Sequence, residues 1–316
     1  MKSKKETNGT YIYLGITNIL KNSIFPENIA FPGNVIKLLI NIDGLPLYNK
    51  SSIQVWPILV QILHPDYYCK PFLAGIFCGD SKPEDVEEFL YDFVEEIKEE
   101  IPNGVEVNNK KYDVEISALV CDMPVRSYIK CTKSHTGFYS CERCETRGKT
   151  VNKKRVFPKM NRKKRTKHSF TNPRTKNQRL HHIPNRISPL LKILNFDPVS
   201  QVLLDYMHLL CNGCMKTLLE RWLGQKRKKG KLKTKDRKKL TKLLSKLKGS
   251  IPNEFQRKTF DGSDLTKWKA TQFRFFLLYV GTIILRFVHS KEYYSNFLNL
   301  SVASRMPPNF VSHSCA

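Results

Sequence analysis

Three runs rich in β-branched and aromatic residues, "VIKLLINID" (35–43), "IQVWPILVQIL" (53–63) and "FLAGIFCGD" (72–80), are separated only by "GLPLYNKSS" and "HPDYYCKP". Links this short, built from Gly, Pro, Asn and Asp, permit hairpins and little else, so an antiparallel three-stranded meander is predicted. In "KPEDVEEFLYDFVEEIKEEI" (82–101), Val86, Phe89, Leu90, Phe93, Val94 and Ile97 recur at i, i+3 and i+4 while acids fill the other positions. That spacing is an amphipathic helix with Pro83 near its start. "YDVEISALVCDMP" (112–124) reads as a fourth strand, its apolar residues running together near the end as in a strand buried on both faces. The first strand ends on Asp43 and the fourth on Asp122.

This β-β-β-α-β order, with an acid closing the first and fourth strands, resembles the arrangement of ribonuclease H-like nucleases. The resemblance implies an α/β (α+β) fold on a mixed sheet whose first and fourth strands are neighbours, so that Asp43 and Asp122 converge on one metal ion. Two-metal phosphodiester chemistry needs carboxylates to hold its ions, and Mg²⁺ or Mn²⁺ takes oxygen ligands. An Asp at a strand end also starts a turn, as "DG" and "DMP" invite, and both readings stand at this point.

The charge is concentrated. Lys and Arg total 54 against 28 acids, a net +26, and no acid occurs between Glu145 and Asp197. Such an excess favours a polyanion, nucleic acid first, although a Lys-rich genome or a nuclear localisation signal would look similar. The candidate contacts are Lys153, Lys154, Arg155, Arg162, Lys163, Lys164 and Arg165 in an arm expected to be mobile, and Lys226, Arg227, Lys228 and Lys229 in a second run. Helical periodicity sets in at about Val199 and dominates the C-terminal third. "FRFFLLYVGTIILRFV" (273–288) is the longest apolar run; it is shorter than the roughly 20 residues of a membrane span and reads as a buried helix.

The nine cysteines are dilute, and no signal peptide is recognisable, so a reducing compartment is expected. Cys141 and Cys144 in "GFYSCERCETRG" form a knuckle suited to tetrahedral Zn²⁺, which needs further ligands. His181 or His182, and His208 in "LLDYMH", are the candidates, with His208 equally readable as a core histidine. Cys211 and Cys214 offer a competing pair but read first as small buried residues.

"NIDGLPLYNKSSIQVWPIL", "DMPVRSYIKCTKSHTGFYSCERC", "HHIPNRISPL", "LLDYMHLLCNGCMKTLL" and "WKATQFRFFLLYVGTIIL", in that order and with "GTYIYLGI" upstream, resemble successive blocks of CACTA-type (En/Spm-like) DNA transposases of animal genomes. The resemblance implies a transposable-element protein with an acidic-triad core, Mg²⁺ or Mn²⁺, structural Zn²⁺, and hydrolysis then strand transfer at transposon ends. Such enzymes act in the nucleus, as dimers on paired ends, and not at a membrane. Asp43 and Asp122 would be the first two acids; Cys141, Cys144 and His208 fall on the family's cysteine-pair and "DYMH" positions as zinc ligands, with His182 the further candidate from the residues themselves. Relatives read "WKATE" where this chain reads "WKATQ", so the third acidic position is Gln272 and catalysis is expected to be impaired; Glu254 and Glu220 are the nearby substitutes. The alternative is a non-catalytic zinc- and DNA-binding protein of the same fold. The expected organisation is an N-terminal extension (1–30), a nuclease-like core (31–135), zinc knuckle and basic arm (136–180), a helical insertion (181–250), C-terminal helices completing the core (251–303) and an aberrant tail of a truncated copy (304–316).

Overall fold

The computed structural model describes residues 2–6, 8–23, 29–48, 51–99, 101–159, 161–224, 230–255, 257, 262 and 264–305. It divides after Leu204 into two units, and not at residue 250. In chain order the strands of the first unit are β1 (Lys2–Glu6), β2 (Gly9–Tyr13), β3 (Val35–Ile42), β4 (Leu45–Pro46), β5 (Gln54–Leu63), β6 (Phe72–Gly79), β7 (Val105–Val107), β8 (Lys110–Cys121), β9 (Lys149–Val151), β10 (Lys154–Val156) and β11 (Val202–Leu204). All but β9 and β10, which pair with each other, belong to one mixed sheet ordered β1-β2-β6-β5-β3-β8-β11, with β4 on β5 and β7 on β8. The predicted meander is β3, β5 and β6, paired antiparallel; β8 lies parallel to β3, and β11 parallel to β8.

Period-2 alternation sets the register. Ile36, Leu38, Ile40 and Ile42 of β3 are fully buried, and Ile58 and Val60 of β5 join them in the first unit's core. The helices of this unit are α1 (Ile16–Lys21), α2 (Val86–Glu99), α3 (Met123–Ile129), α4 (Lys167–Thr171) and α5 (Lys176–Arg179). The apolar stripe of α2 enters the same core, where Phe89 meets Tyr11 and Trp56 edge-on. Each such side chain taken out of water contributes about 1.5–3 kcal/mol.

Several expectations change. The N-terminal segment is no extension, since β1 and β2 extend the sheet beyond β6. Two of the α2 acids, Asp92 and Glu96, are buried and not solvated. Glu96 caps α1, its Oε2 and Oε1 accepting the Ile16 and Thr17 amides at 2.8 and 2.7 Å, and it also accepts the Tyr13 hydroxyl at 2.5 Å. The fourth strand stops at Cys121 because Asp122 is the N-cap of α3 and Pro124 sits in its first turn. "VLL" at 202–204 is a strand, where periodicity predicted helix, and residues 189–202 contribute Leu190, Ile193, Phe196 and Val202 to the first core.

The second unit has its own core, built from a π-helical run (Met207–Met215), α6 (Lys216–Trp222), α7 (Thr234–Lys246), α8 (Ala270–Phe275), a π-helical turn (Phe276–Val280), α9 (Gly281–Ile284) and α10 (Lys291–Ala303). Ala270–Phe287 is the one helical stretch among the described residues long and apolar enough to cross a membrane, yet half of it is buried. Phe273, Phe276, Leu277 and Leu285 are wholly inside this core, as a buried helix requires. Gly281 permits the packing there: a Cβ would lie 2.4 Å from Phe297 Cζ and 2.8 Å from the Phe276 carbonyl oxygen. Gly281→Ala is therefore expected to cost the second unit about 1–3 kcal/mol in urea denaturation.

Candidate functional site

The parallel pairing of β3 with β8 runs to Asn41 opposite Val120, and Asn41 Nδ2 donates to the Val120 carbonyl at 2.7 Å. Two residues further, Asp43 and Asp122 leave neighbouring strand ends, which in a sheet are roughly 4.8 Å apart. Both half-buried carboxylates act on the same buried thiol: burial pushes Cys121 up to about 12, and Asp122 and Asp43 add to the rise against the Ile42 amide and Arg126. Each also serves its own backbone. Asp43 Oδ1 accepts the Gly44 amide at 2.9 Å, and Asp122 Oδ1 accepts the Val125 amide at 2.8 Å. The turn-starting and the metal-facing readings are thus compatible at both positions.

The helix that Asp122 caps is fastened to the cysteine knuckle. Glu142, between the two cysteines, is buried and receives Arg126 Nε at 3.0 Å and Lys130 Nζ at 2.9 Å, both from α3 and its C-cap. Burial pushes the Glu142 carboxyl up, and Lys130 and Arg126 more than reverse this, holding it below the usual carboxylate range. Arg126 Nη1 donates to the Cys121 carbonyl at 2.6 Å, tying α3 to β8, and Arg143 Nη2 to the Val202 carbonyl at 2.8 Å, tying the knuckle to β11. Sequence reading missed Glu142, because an acid inside a CxxC motif looks solvated.

The Cys141 and Cys144 sulfurs are 3.3 Å apart. Tetrahedral zinc with bonds of about 2.3 Å would need them about 3.8 Å apart, a small opening. Burial, and then Cys141 beside it, push the Cys144 thiol up. His181 Nδ1 meets the Tyr139 carbonyl at 2.7 Å, and His182 packs edge-on against Phe170. The Nε2 atoms of both are buried without a hydrogen-bond partner. Burial, then Arg165, lower the two imidazoles to about 3 and about 4, which keeps them neutral and ligand-competent. Among the described residues, however, no three or more His, Cys, Asp or Glu side chains gather as a metal-binding group.

Within the second unit, His208 Nδ1 is paired with Asp205 Oδ2, and Asp205 also accepts the Met207 and His208 amides at 3.0 and 3.1 Å. A carboxylate holding one ring nitrogen leaves Nε2 as the ligand atom, a common support for metal-binding histidines. Cys211 is buried as expected, but Cys214 is exposed; the i→i+5 turn of the π-helical run takes residues three apart off a shared face. Gln272 is buried at the third position of α8, where its Oε1 accepts the Lys269 amide at 2.8 Å. Glu220 is buried on α6 and Glu254 is exposed.

The basic arm is folded where charge density predicted mobility. β9 and β10 form a hairpin, and α4 and α5 each open on a Thr capping box, at Thr166 and Thr175. Lys153, Lys154, Arg162, Lys163 and Lys164 are exposed there. Two other expected contacts are committed to the fold: Arg155 stacks 3.3 Å from the Phe138 ring centroid, and buried Arg165 donates to the Cys141 carbonyl at 2.9 Å. Lys226, Arg227, Lys228 and Lys229, like most of the expected tail, lie outside the described residues. No protein-family model matches the chain, and no curated protein matches it.

Proposed function

We propose that the chain is a CACTA-type, transposon-derived polynucleotidyl transferase core that acts on DNA in the nucleus, catalytically impaired by Gln272 at its third acidic position. The observation that carries this reading is the parallel β3–β8 pair, whose neighbouring strand ends are followed directly by Asp43 and Asp122. The strand order β6-β5-β3-β8-β11 supports a ribonuclease H-like sheet. Asp43 and Asp122 would hold Mg²⁺ or Mn²⁺, which when bound activates a nucleophile and neutralises charge on the phosphodiester. The chain's own share is to fix the two carboxylates, through the Gly44 amide and the α3 N-terminus, and to attract DNA with its exposed cations. Zn²⁺ would be held by Cys141 and Cys144, with His182 as the expected further ligand from the same unit.

A second reading, a non-catalytic zinc- and DNA-binding protein, is favoured by one observation: Gln272 spends its carbonyl oxygen on its own helix. Mn²⁺ binding tests the part common to the metal site. Titration of the full chain, followed by electron paramagnetic resonance, is expected to show a site weakened at least about tenfold by Asp43→Asn and by Asp122→Asn. Equal Mn²⁺ affinity in wild type and both variants would remove the carboxylate pair as a metal centre.

A further inference from the structure

The β9–β10 hairpin has a two-residue turn, Asn152-Lys153, with φ of 49° and 60°, both positive as a type I′ turn requires. Its base is fixed. Gly148 donates its amide to the Phe138 carbonyl at 2.7 Å, and Arg155, stacked on Phe138, donates to the Thr136 carbonyl and the Thr150 hydroxyl. Its tip is bare: Val151, Asn152, Lys153 and Lys154 are all exposed. Beside the base lies a cleft of about 400 Å³ lined by Phe138, Arg147, Lys149, Lys159, Arg162 and Asn177. The one acid on its wall, Glu145, is buried and accepts Gln178 Nε2 at 2.8 Å, so the cleft offers four cations to an incoming anion.

From these features we infer that the hairpin is a wing that enters the major groove of duplex DNA, while the cleft at its base seats backbone phosphates flanking that groove. The inference rests on the DNA-binding part of the function proposed above. Three residues per strand span about 10 Å, comparable to the roughly 8.5 Å depth of a groove, with the exposed tip Val151–Lys154 as the part that enters. A two-stranded ribbon fits the roughly 12 Å width of the major groove. Asn152 and Lys153 then meet base edges, where Asn reads adenine and Lys reads guanine O6 and N7. Arg147, Lys149, Lys159 and Arg162 meet phosphates, which position the protein without reading sequence. A-form RNA excludes the wing, because its major groove is deep and narrow.

Selection of the full chain against a randomised 20-base-pair duplex library is the test, repeated with Asn152→Ala/Lys153→Ala and with Lys159→Ala/Arg162→Ala. The wild type is expected to enrich a sequence that guanine N7 methylation blocks. The tip variant is expected to lose at least about tenfold of that discrimination while keeping its affinity for random duplex. The cleft variant is expected to weaken on all duplexes and to lower the log–log salt slope by about 2. All four side chains are exposed, so an unchanged unfolding midpoint shows the fold intact. Duplex binding with unaltered selection in the tip variant, an unaltered salt slope in the cleft variant, or preference for double-stranded RNA overturns the wing and leaves polyanion binding standing. Failure of the wild type to bind any duplex overturns both the wing and the proposed function.

Discussion

Glu142→Gln is expected to cost the first unit about 3–5 kcal/mol, because it leaves two buried cations without their counter-charge. Arg126 and Lys130 are 4% and 1% exposed, and Glu142 is the carboxylate that both contact. Water cannot replace it at that depth. The replacement amide keeps an acceptor oxygen, so the loss reports charge and not shape. Hydrogen exchange at the α3 amides should locate the effect, since local opening of that helix becomes easier once its two anchors are unpaired. Adding Lys130→Met should return part of the loss, with a coupling of about 0.5–3 kcal/mol, because one orphaned charge is then gone. A loss below about 1 kcal/mol, or additive double-variant behaviour, would show that the knuckle is held by something other than this ion network. Chelation would then separate the possibilities: a zinc-held knuckle becomes labile with a chelator, and one held by Glu142 does not.

The consequence reaches the carboxylates. Asp122 caps the helix that carries Arg126 and Lys130, so a knuckle inserted some twenty residues downstream fixes the start of α3 and, with it, one of the two acids. None of this could be read from "CERC". Periodicity revealed α2, where one face is buried and the pattern is therefore strict, while β-branched runs between turn formers revealed β3, β5 and β6 and a run of apolar residues most of β8. It failed where the fold depends on single polar contacts. Glu96 looked like one more acid on a solvated face and is the cap of α1; "VLL" is too short for its period to separate strand from helix. Charge density concealed the folded arm, although Thr166 and Thr175 each stand three residues before a capping partner, a local signal that outweighs composition. At the site, the pairing of the first and fourth strands was an expectation carried by the ribonuclease H-like resemblance, whereas the burial of Arg165 and the stacking of Arg155 depended on partners distant in sequence.

Gln272→Glu is expected to raise Mn²⁺-dependent nicking of supercoiled plasmid by about a hundredfold or more if the proposed catalytic descent is right. A carboxylate that helps hold a metal ion is worth several kcal/mol in the transition state, and each 1.4 kcal/mol is about tenfold in rate. The fold should tolerate the change. Glutamate at the third position of a helix accepts the same Lys269 amide that Gln272 Oε1 accepts, and a negative charge there gains about 0.3–1 kcal/mol from the helix N-terminus. Against this stands the 5% exposure of Gln272: without a metal or cation nearby, a carboxylate so buried takes up a proton instead. The two cases separate by experiment. If Gln272→Glu gains activity and Asp43→Asn in the same background removes it, the third acidic position and the first are parts of one site. If the gain is absent while the variant folds and the wild type still binds duplex DNA, the non-catalytic reading is the better one. Wild-type nicking that Asp43→Asn abolishes would show that glutamine at this position does not silence the protein, and would turn attention to another ligand in its place.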